Sequence, residues 1–386
     1  IVGSGVSGLG AARLAAREHD VTVFEAGAHV GGHAWTVDVQ DGRSAYPVDV
    51  GFMVYNETTY PGLTALFGDL GVATRPTEMS FSFRCHESGL EWSGTGLRGV
   101  FAWKRNLLRP GFARMLLDVL RFNREAARDV EGDGVDRTLG RYLAERGYSE
   151  QFRDQYLVPM GAAIWSSPAA RMLEFPASFF VRFFRNHGLL TVDGHHPWRT
   201  VVGGSRRYVE AVSRPFADRI RLRTPVRGIR REAGGVMVET DAGSERFDHV
   251  VVACHADQAL ALLSDPSPAE REILGALPYQ ANEAVLHRDG SVLPRRPRAR
   301  ASWNYHRLTA GTGDVAVTYD LGRLQGHDAE TPILLTLNGS GLVDPALVER
   351  SFSFEHPLFT PEAERAKARH AEIDGVRGVS YCGAYW

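Results

Sequence analysis

Residues 1–10, IVGSGVSGLG, place glycines at positions 3, 5 and 8 directly after two apolar residues. The run LGAARLAAREHD (9–20) that follows is typical of a helix, and VTVFEAG (21–27) is typical of a strand ending at Glu25. A glycine-rich turn between strand and helix, with a carboxylate at the tip of the next strand, is the pattern of a βαβ unit that binds a dinucleotide. The helix N-terminus would face the pyrophosphate, and Glu25 would accept hydrogen bonds from the ribose hydroxyls.

Length and composition limit the class of protein. A chain of 386 residues exceeds the usual single core of about 250–300 residues, so we expect two packed domains. Lys and Arg total 44 against 46 for Asp and Glu, so the overall charge predicts no nucleic-acid partner. Cys85, Cys254 and Cys382 are far apart in sequence, which fits a reducing, cytoplasmic location. The sequence contains no uninterrupted apolar run of about 18 residues, the length that would predict a membrane-spanning helix.

A second glycine pair, Gly31-Gly32, lies just beyond the Glu25 strand and leaves room for backbone beside a second phosphate. The stretch FEAGAHVGGHAWT (24–36) resembles the FAD fingerprint of the flavin amine oxidase, phytoene desaturase and protoporphyrinogen oxidase superfamily. YPVDVGFMVYN (46–56) adds the Asp49-x-Gly51 element found in such proteins. The resemblance implies FAD as cofactor, and it is strongest to bacterial proteins described as predicted NAD/FAD-binding oxidoreductases. His33 stands where the superfamily usually has Arg.

Later segments continue the resemblance. WRTVVGGSRRYVEAV (198–212) is similar to the segment that re-enters the FAD domain, and FDHVVVACHADQALALL (247–263) to the strand and loop that return to the dinucleotide. GVSYCGAYW (378–386) resembles the last flavin-contacting element, with Ala384 where many relatives have Asp. The pattern and the resemblance together predict these cofactor-binding residues: Gly3, Gly5, Val6, Ser7, Gly8, Glu25, Ala26, Gly31, Gly32, His33, Gly51, Val226, Cys254, Gly383 and Ala384.

Strand-like and helical runs alternate, which favours an α/β fold. We predict a Rossmann-like FAD-binding domain, interleaved with an α+β substrate domain of the amine-oxidase type. The FAD-binding domain would comprise residues 1–60, 198–255 and 375–386. The substrate-binding domain would comprise 61–197 and 256–374, with a helical lobe over 96–190 and a sheet from 280–340.

Flavin chemistry needs hydride acceptance and accurate placement of the substrate, so the sequence need not contain a catalytic motif. No catalytic residue is assigned. In ASWNYHRL (301–308), alternation places Trp303 and Tyr305 on one face of a strand, where they would line either a substrate pocket or the core. Trp198 is a third pocket candidate. His195 and His196 lack a third ligand at useful spacing, so we predict no metal site.

Three functions remain open. The first is an FAD-dependent oxidoreductase that accepts a hydride from an apolar or amphipathic small molecule or lipid, such as a fatty-acyl chain undergoing desaturation. That lipid link is implied by the resemblance alone. The second is a flavin amine oxidase that releases an imine and hydrogen peroxide. The third is a scaffold that retains FAD without turnover.

Residues 99–124 mix aromatic, leucine and basic side chains and follow helical spacing from Gly111. Two interpretations stay open: a peripheral membrane contact, or a core-facing helix with a solvated basic side. The oligomeric state stays open as well. In the superfamily a glycine-rich turn and a helix follow the element YCGAYW (381–386). We therefore expect a longer protein, with a few residues before Ile1 and a helical segment of about 20 or more after Trp386.

Overall fold

The computed structural model describes residues 1–132, 136–165, 167–191, 196–308 and 315–386. The strands of these residues, numbered in chain order, are β1 (Val23–Phe24), β2 (Thr36–Asp41), β3 (Ser44–Asp49), β4 (Tyr55–Asn56), β5 (Thr74–Pro76), β6 (Phe81–Cys85), β7 (Glu91–Ser93), β8 (Trp198–Val201), β9 (Ile220–Arg221), β10 (Val226–Glu232), β11 (Gly235–Thr240), β12 (Gly243–Phe247), β13 (Val250–Val252), β14 (Tyr279–His287), β15 (Trp303–Arg307), β16 (Val315–Asp320), β17 (Leu334–Leu337), β18 (Val348–Pro357) and β19 (Val379–Tyr381).

The helices are α1 (Val6–Ala15), α2 (Pro61–Leu70), α3 (Leu97–Val100), α4 (Pro110–Asp129), α5 (Leu139–Glu145), α6 (Glu150–Phe152), α7 (Val158–Trp165), α8 (Ala169–Met172), α9 (Ala177–Asn186), α10 (Arg206–Ser213), α11 (Ala256–Leu262), α12 (Pro268–Gly275), α13 (Leu321–Gln325) and α14 (Pro361–Lys367). Short 3-10 helices that matter below cover Lys104–Leu108, Gly290–Val292 and Pro297–Ala299. Among the described residues, no helix is both long and apolar enough to cross a bilayer.

A parallel sheet forms around Val2. This residue bridges Phe24 on one side and Val252 on the other, β1 pairs with β9, and β13 pairs with β19. The order is β9, β1, Val2, β13, β19, with every pairing parallel. Because α1 follows Val2 directly, the carboxyl ends of these strands meet at the glycine-rich turn. An antiparallel sheet β10-β11-β12 follows β9 along the chain.

The second large unit is a seven-stranded sheet in the order β18-β14-β17-β16-β15-β6-β7. One face packs on the helices of the 97–186 segment and forms the largest apolar core. The opposite face carries buried polar side chains, namely Ser82, His287, Asn304, His306, Thr318 and Thr336. Here the sequence-based prediction of a sheet from 280–340 is too narrow. Strands β6 and β7 extend it beyond β15, and β18 extends it beyond β14, so that β7 and β18 form its two edges. The domain boundaries themselves stay a prediction.

Helix α4 follows the predicted helical spacing. Its Phe112, Met115 and Phe122 side chains enter the apolar core beside the seven-stranded sheet. That side of the helix therefore agrees with the core-facing interpretation. Leu117 and Leu120, however, lie on its exposed side.

Candidate cofactor site

The first glycine turn adopts backbone conformations that require glycine. Gly3 has φ +101°, in the region that L-residues rarely adopt, and a Cβ there would lie 3.2 Å from the Ala253 backbone. A Cβ on Gly8 would lie 2.0 Å from the carbonyl oxygen of Gly3. A Cβ on Gly5 would meet no atom of the described residues within 4 Å, so the turn is open on that side. The turn and helix α1 are therefore in close backbone contact at Gly3 and Gly8, while the side of the turn at Gly5 stays accessible.

The start of helix α1 is not capped by any side chain of the described residues. Gly5 is its N-cap, and its first turn contains no acidic residue. Val6 is exposed and Ser7 is half-buried in that turn. The first amides of a helix lack intrahelical acceptors, and the helix dipole favours an anion beside them. The start of α1 is therefore suited to a phosphate group.

The carboxylate of Glu25 lies at the end of β1, where the pattern predicts it. It accepts hydrogen bonds from the Ser4 amide (2.9 Å), the Ser4 hydroxyl (2.5 Å) and the Gly27 amide (2.6 Å). A carboxylate has about four lone-pair sites, so after these three hydrogen bonds capacity remains for about one ribose hydroxyl. Ala26 beside it is exposed.

The second glycine pair packs directly on the first turn. Gly31 forms a parallel bridge with Gly5, and Cβ atoms at Gly31 and Gly32 would lie 2.6 Å from the Ala34 oxygen and 3.1 Å from the Gly5 Cα. Both glycines have positive φ, +118° and +58°. Gly51 packs against the backbone of His33, just after this glycine pair, since a Cβ on Gly51 would lie 2.1 Å from the His33 carbonyl oxygen. These contacts form a cradle of bare backbone that fits the pyrophosphate of FAD.

A buried carboxylate ties this cradle to a second helix. Asp49 accepts hydrogen bonds from the Ser205 amide (2.8 Å), the Ser205 hydroxyl (2.7 Å) and the Thr36 hydroxyl (2.6 Å). Burial raises the pKa of Asp49 and these hydrogen bonds oppose the rise. Gly204, with φ +83°, brings the chain into α10 at this point. Asp49 thus fixes the start of α10, in the predicted re-entry segment, against strands β2 and β3.

His33 belongs to a cluster assembled from distant segments. Its ring lies 5.1 Å from Phe354, 5.4 Å from His356 and 6.3 Å from His255. His356 in turn contacts Asn282 at 2.8 Å, and Asn338 donates to Asn282 at 2.7 Å.

His255 stacks on Tyr279 with ring centroids 4.3 Å apart and contacts the Glu355 carboxylate at 3.1 Å. The cluster therefore joins the FAD fingerprint to strands β14 and β18 of the large sheet.

Burial, together with the neighbouring His356 and His255, lowers the pKa of His33 to about 4. Where the resemblance leads one to expect a guanidinium, this chain has a neutral imidazole at pH 7. The negative charge of the pyrophosphate would therefore be balanced by the start of α1 and by the backbone amides of the two glycine turns.

The shifted pKa predicts a pH-dependent stability. An unfolded histidine takes up a proton near its ordinary pKa of 6.5, whereas His33 in the fold does so only near pH 4. The unfolded state therefore binds more protons between these values, and the free energy of unfolding falls as pH is lowered through this window. We expect His33→Gln to reduce that slope by up to about 1.4 kcal/mol per pH unit, measured by urea unfolding from pH 4 to 7.5. Equal slopes for the two proteins would contradict the assignment.

The remaining predicted cofactor residues lie around the sheet end. Cys254 follows β13 and its carbonyl accepts a hydrogen bond from the Tyr385 hydroxyl at 3.2 Å. Burial raises the pKa of the Cys254 thiol to about 12, so it is not a thiolate at neutral pH. A Cβ on Gly383 would lie 2.2 Å from the Tyr385 ring, and Ala384 is exposed. Val226 opens β10 and packs in the adjoining core.

The three pocket candidates occupy two places. Trp198 lies in the small sheet β4-β8-β5, with its ring 6.3 Å from that of His187. Trp303 and Tyr305 do share one face of β15, as alternation predicts. Tyr305 is buried and stacks on Phe83 at 5.8 Å, and Trp303 is half-buried and packs edge-on against Tyr319 at 5.0 Å. Their role in a substrate pocket stays a prediction.

Within the described residues, no group of three or more His, Cys, Asp or Glu side chains is placed to hold a metal ion. His196 contacts the Asn186 carbonyl oxygen, and His195 lies outside the described residues.

Comparison with known proteins agrees with this geometry. Residues 6–288 match the family model described as flavin containing amine oxidoreductase. The chain belongs to the flavin-containing amine oxidoreductase family. Membership confirms the fold class and FAD as the cofactor predicted from the sequence, and places the chain in a family described as oxidoreductases.

A curated relative from Mycobacterium tuberculosis, named "Putative flavin-containing monoamine oxidase AofH", is 29% identical over 281 residues, or 69% of this chain. The match spans 58% of that relative's length, so reaction and substrate are taken up below as proposals.

Solved members of the fold include enzymes with different named substrates. Cyclohexylamine oxidase from Brevibacterium oxydans superposes with a TM-score of 0.68 at 17% identity, covering 100% of this chain and 92% of its own. A fatty acid isomerase from P. acnes that produces CLA superposes with a TM-score of 0.65 at 16% identity, covering 99% and 92%. At these identities the likeness concerns the fold alone.

The sequence-based site omitted several residues that the structure places together. Asp49 was noted only as part of a motif, and His255, His356 and Asn282 were not singled out. The alternating stretch FSFEHP does put Phe352, Phe354 and His356 on one face, which was an available signal. Nothing in the sequence indicates that this face meets His33.

Proposed function

We propose that this protein is an FAD-dependent oxidoreductase that removes a hydride from an apolar or amphipathic substrate, and that a fatty-acyl chain is the class to test first. The observation that carries the proposal is the character of the wall beside the FAD fingerprint. Trp35 packs on Phe352 at 5.1 Å, and Phe354 packs on the neutral His33. The wall is mainly aromatic, although the Arg350 guanidinium lies 5.4 Å from the Trp35 ring and 5.0 Å from the Phe352 ring, and such a surface favours the apolar part of a substrate.

When bound, FAD supplies the hydride acceptor for this chemistry. The protein's own residues would hold and orient it. The start of α1 and the turns at Gly3–Gly8 and Gly31–Gly32 would bind the pyrophosphate, and Glu25 the ribose. Asp49 would keep α10 against this cradle. His356 and Asn282 are hydrogen-bonded to each other beside His33 and the aromatic wall, where they would orient a polar group of the substrate.

An amine substrate is the second candidate, because the curated relative is named as a monoamine oxidase and the family carries the amine oxidoreductase description. Such a reaction would release an imine and hydrogen peroxide. It needs the amine in its neutral form at the flavin, and the low pKa of His33 leaves this imidazole uncharged at neutral pH.

An anaerobic bleaching screen tests the proposal. The flavin absorbance of the purified protein would be followed under exclusion of oxygen with fatty acids and acyl esters in one arm and primary and secondary amines in the other. Dithionite would serve as the control that the bound flavin is reducible. We expect bleaching by acyl compounds. Bleaching by amines alone, with peroxide formed when air is admitted, would replace the acyl proposal by the amine oxidase. No bleaching by either class, with full reduction by dithionite, would favour the scaffold.

A further inference from the structure

Leucine side chains are unusually exposed near the start of the helical lobe. Leu97 on α3 is 78% exposed, and Leu107 and Leu108 at the end of the 3-10 helix are 64% and 83% exposed. On α4 the exposed stripe continues through Leu117 and Leu120, at 64% and 54%. A single exposed leucine is ordinary, but several within one segment mark a surface that meets another apolar phase.

A second segment, distant in sequence, lies against the first. Trp103 is covered by the guanidinium groups of Arg109 at 4.4 Å and Arg105 at 5.9 Å, both from its own segment, and of Arg296 at 4.6 Å. The Ser93 hydroxyl, just before α3, also donates to the Arg298 carbonyl oxygen at 3.0 Å. Residues 97–109 and 294–300 therefore form one continuous surface, which we call the leucine–arginine surface.

Among the described residues, most basic side chains of α4 are paired with carboxylates, whereas most of those on this surface are not. Arg114 and Arg121 are both paired with Asp118, and Arg124 is paired with Glu125. Several basic side chains of the leucine–arginine surface, by contrast, have no carboxylate within 4 Å among the described residues: Arg98, Lys104, Arg105, Arg109, Arg295, Arg298 and Arg300.

Two carboxylates lie nearby. Glu91 is buried and is already held by Arg84 and Arg296. Glu87 is exposed in the turn between β6 and β7. The surface therefore has a clear excess of cations.

A cavity of about 620 Å³ opens beside the same segment. Its cationic or titratable lining consists of Arg84, His86, Arg295 and Arg300, and the Gly290–Val292 helix forms another wall. The Arg84 guanidinium donates hydrogen bonds to the backbone carbonyl oxygens of Ser291, Val292 and Leu293. These hydrogen bonds hold that wall in place. The cavity is large enough for a phosphate-bearing headgroup.

We propose that the leucine–arginine surface docks on membranes that contain anionic phospholipid. The leucines enter the boundary between headgroups and acyl chains, the unpaired cations meet lipid phosphates, and the cavity accommodates one headgroup. Apolar side chains surrounded by basic ones are the composition of an interfacial membrane contact, and each basic residue near the bilayer strengthens attraction to an anionic leaflet. The proposal replaces 99–124 as the contact by 97–109 with 294–300, and it does not depend on which substrate the enzyme oxidises.

Flotation of the FAD-loaded protein with vesicles tests this surface. Vesicles of phosphatidylcholine alone are compared with vesicles that contain phosphatidylglycerol as well, at low and at physiological salt. We expect flotation with the anionic vesicles, weakened by salt. The double variant Leu107→Ser, Leu108→Ser should lower the partition constant at least about tenfold. The triple variant Lys104→Glu, Arg105→Glu, Arg298→Glu should lower it by at least about a hundredfold, since each of the three charges contributes about fivefold.

Matched controls separate this surface from general effects. Leu14 on α1 is 64% exposed, the same fraction as Leu107, so Leu14→Ser should float like the unchanged protein. The triple variant Arg17→Glu, Arg43→Glu, Arg271→Glu, at positions outside the leucine–arginine surface, makes the same change in net charge and controls for it. Circular dichroism and flavin absorbance of each variant establish that it is folded.

Absence of flotation with anionic vesicles, or equal flotation with both kinds, would overturn the proposal. Flotation that depends on the cations but survives loss of both leucines would indicate electrostatic adsorption without leucine insertion and would overturn the proposal as well.

Discussion

Gly8→Ala is expected to yield a protein that retains little FAD. The new methyl group would lie 2.0 Å from the Gly3 carbonyl oxygen and 3.1 Å from the Ala253 side chain, so α1 must move away from the turn it caps. Overpacking of this kind costs about 1–3 kcal/mol of unfolding free energy. Displacement of the first α1 amides also removes the anion-binding geometry. The measurements are flavin absorbance per protein after gel filtration and urea unfolding.

Gly10→Ala is the matched control for this prediction. Gly10 lies in the same helix, two residues further on, and a Cβ there would meet no atom within 4 Å in the described part of the chain. Alanine there should leave FAD content unchanged and stabilise the helix by about 0.5–1 kcal/mol. Equal FAD content in the Gly8 and Gly10 variants would refute the assignment of the first turn as the pyrophosphate site.

Asp49→Ala is expected to cause the largest loss of stability, about 3–5 kcal/mol in the free energy of unfolding. Removal of this buried carboxylate leaves the Ser205 amide without its acceptor and leaves the Ser205 and Thr36 hydroxyls, 3.1 Å apart, to donate only to each other. FAD content should fall with it, because α10 is no longer held against the cradle. Chemical unfolding monitored by tryptophan fluorescence measures the change.

Asp38→Ala provides the comparison. Asp38 pairs with Arg206, the residue after Ser205, but the pair is largely exposed. Exposed ion pairs contribute less than about 1 kcal/mol, so this variant should be close to the unchanged protein. If both aspartate variants lose equal stability, the buried network around Asp49 is not what holds α10.

The cofactor class could be predicted because its signals are local. Gly3, Gly5 and Gly8 lie within one turn, and Glu25 lies one helix and one strand later, so spacing along the chain already implies proximity in space. The Gly31–Gly32 pair belongs to the same short unit, and the structure places it directly on Gly5. The alternation on β15 was predicted for the same reason, since a strand's period is fixed by its own backbone.

Contacts between residues that are far apart in the sequence could not be predicted in this way. Asp49 and Ser205 are separated by 156 positions, and the sequence around either residue does not identify the other as its partner. The extent of the large sheet depends on β6 meeting β15, which are joined by backbone hydrogen bonds that any side chain permits.

The sequence by itself determined that this chain holds a dinucleotide in a βαβ turn, because glycine conformation and helix geometry act over a few residues. Only the tertiary structure decided that His33 meets His255 and His356, which makes its imidazole neutral, since burial and neighbouring titratable groups set a pKa. It also decided that the exposed leucines of 97–109 join the unpaired arginines of 294–300. Such a surface exists only after the chain has folded, because its two halves come together through packing rather than through sequence.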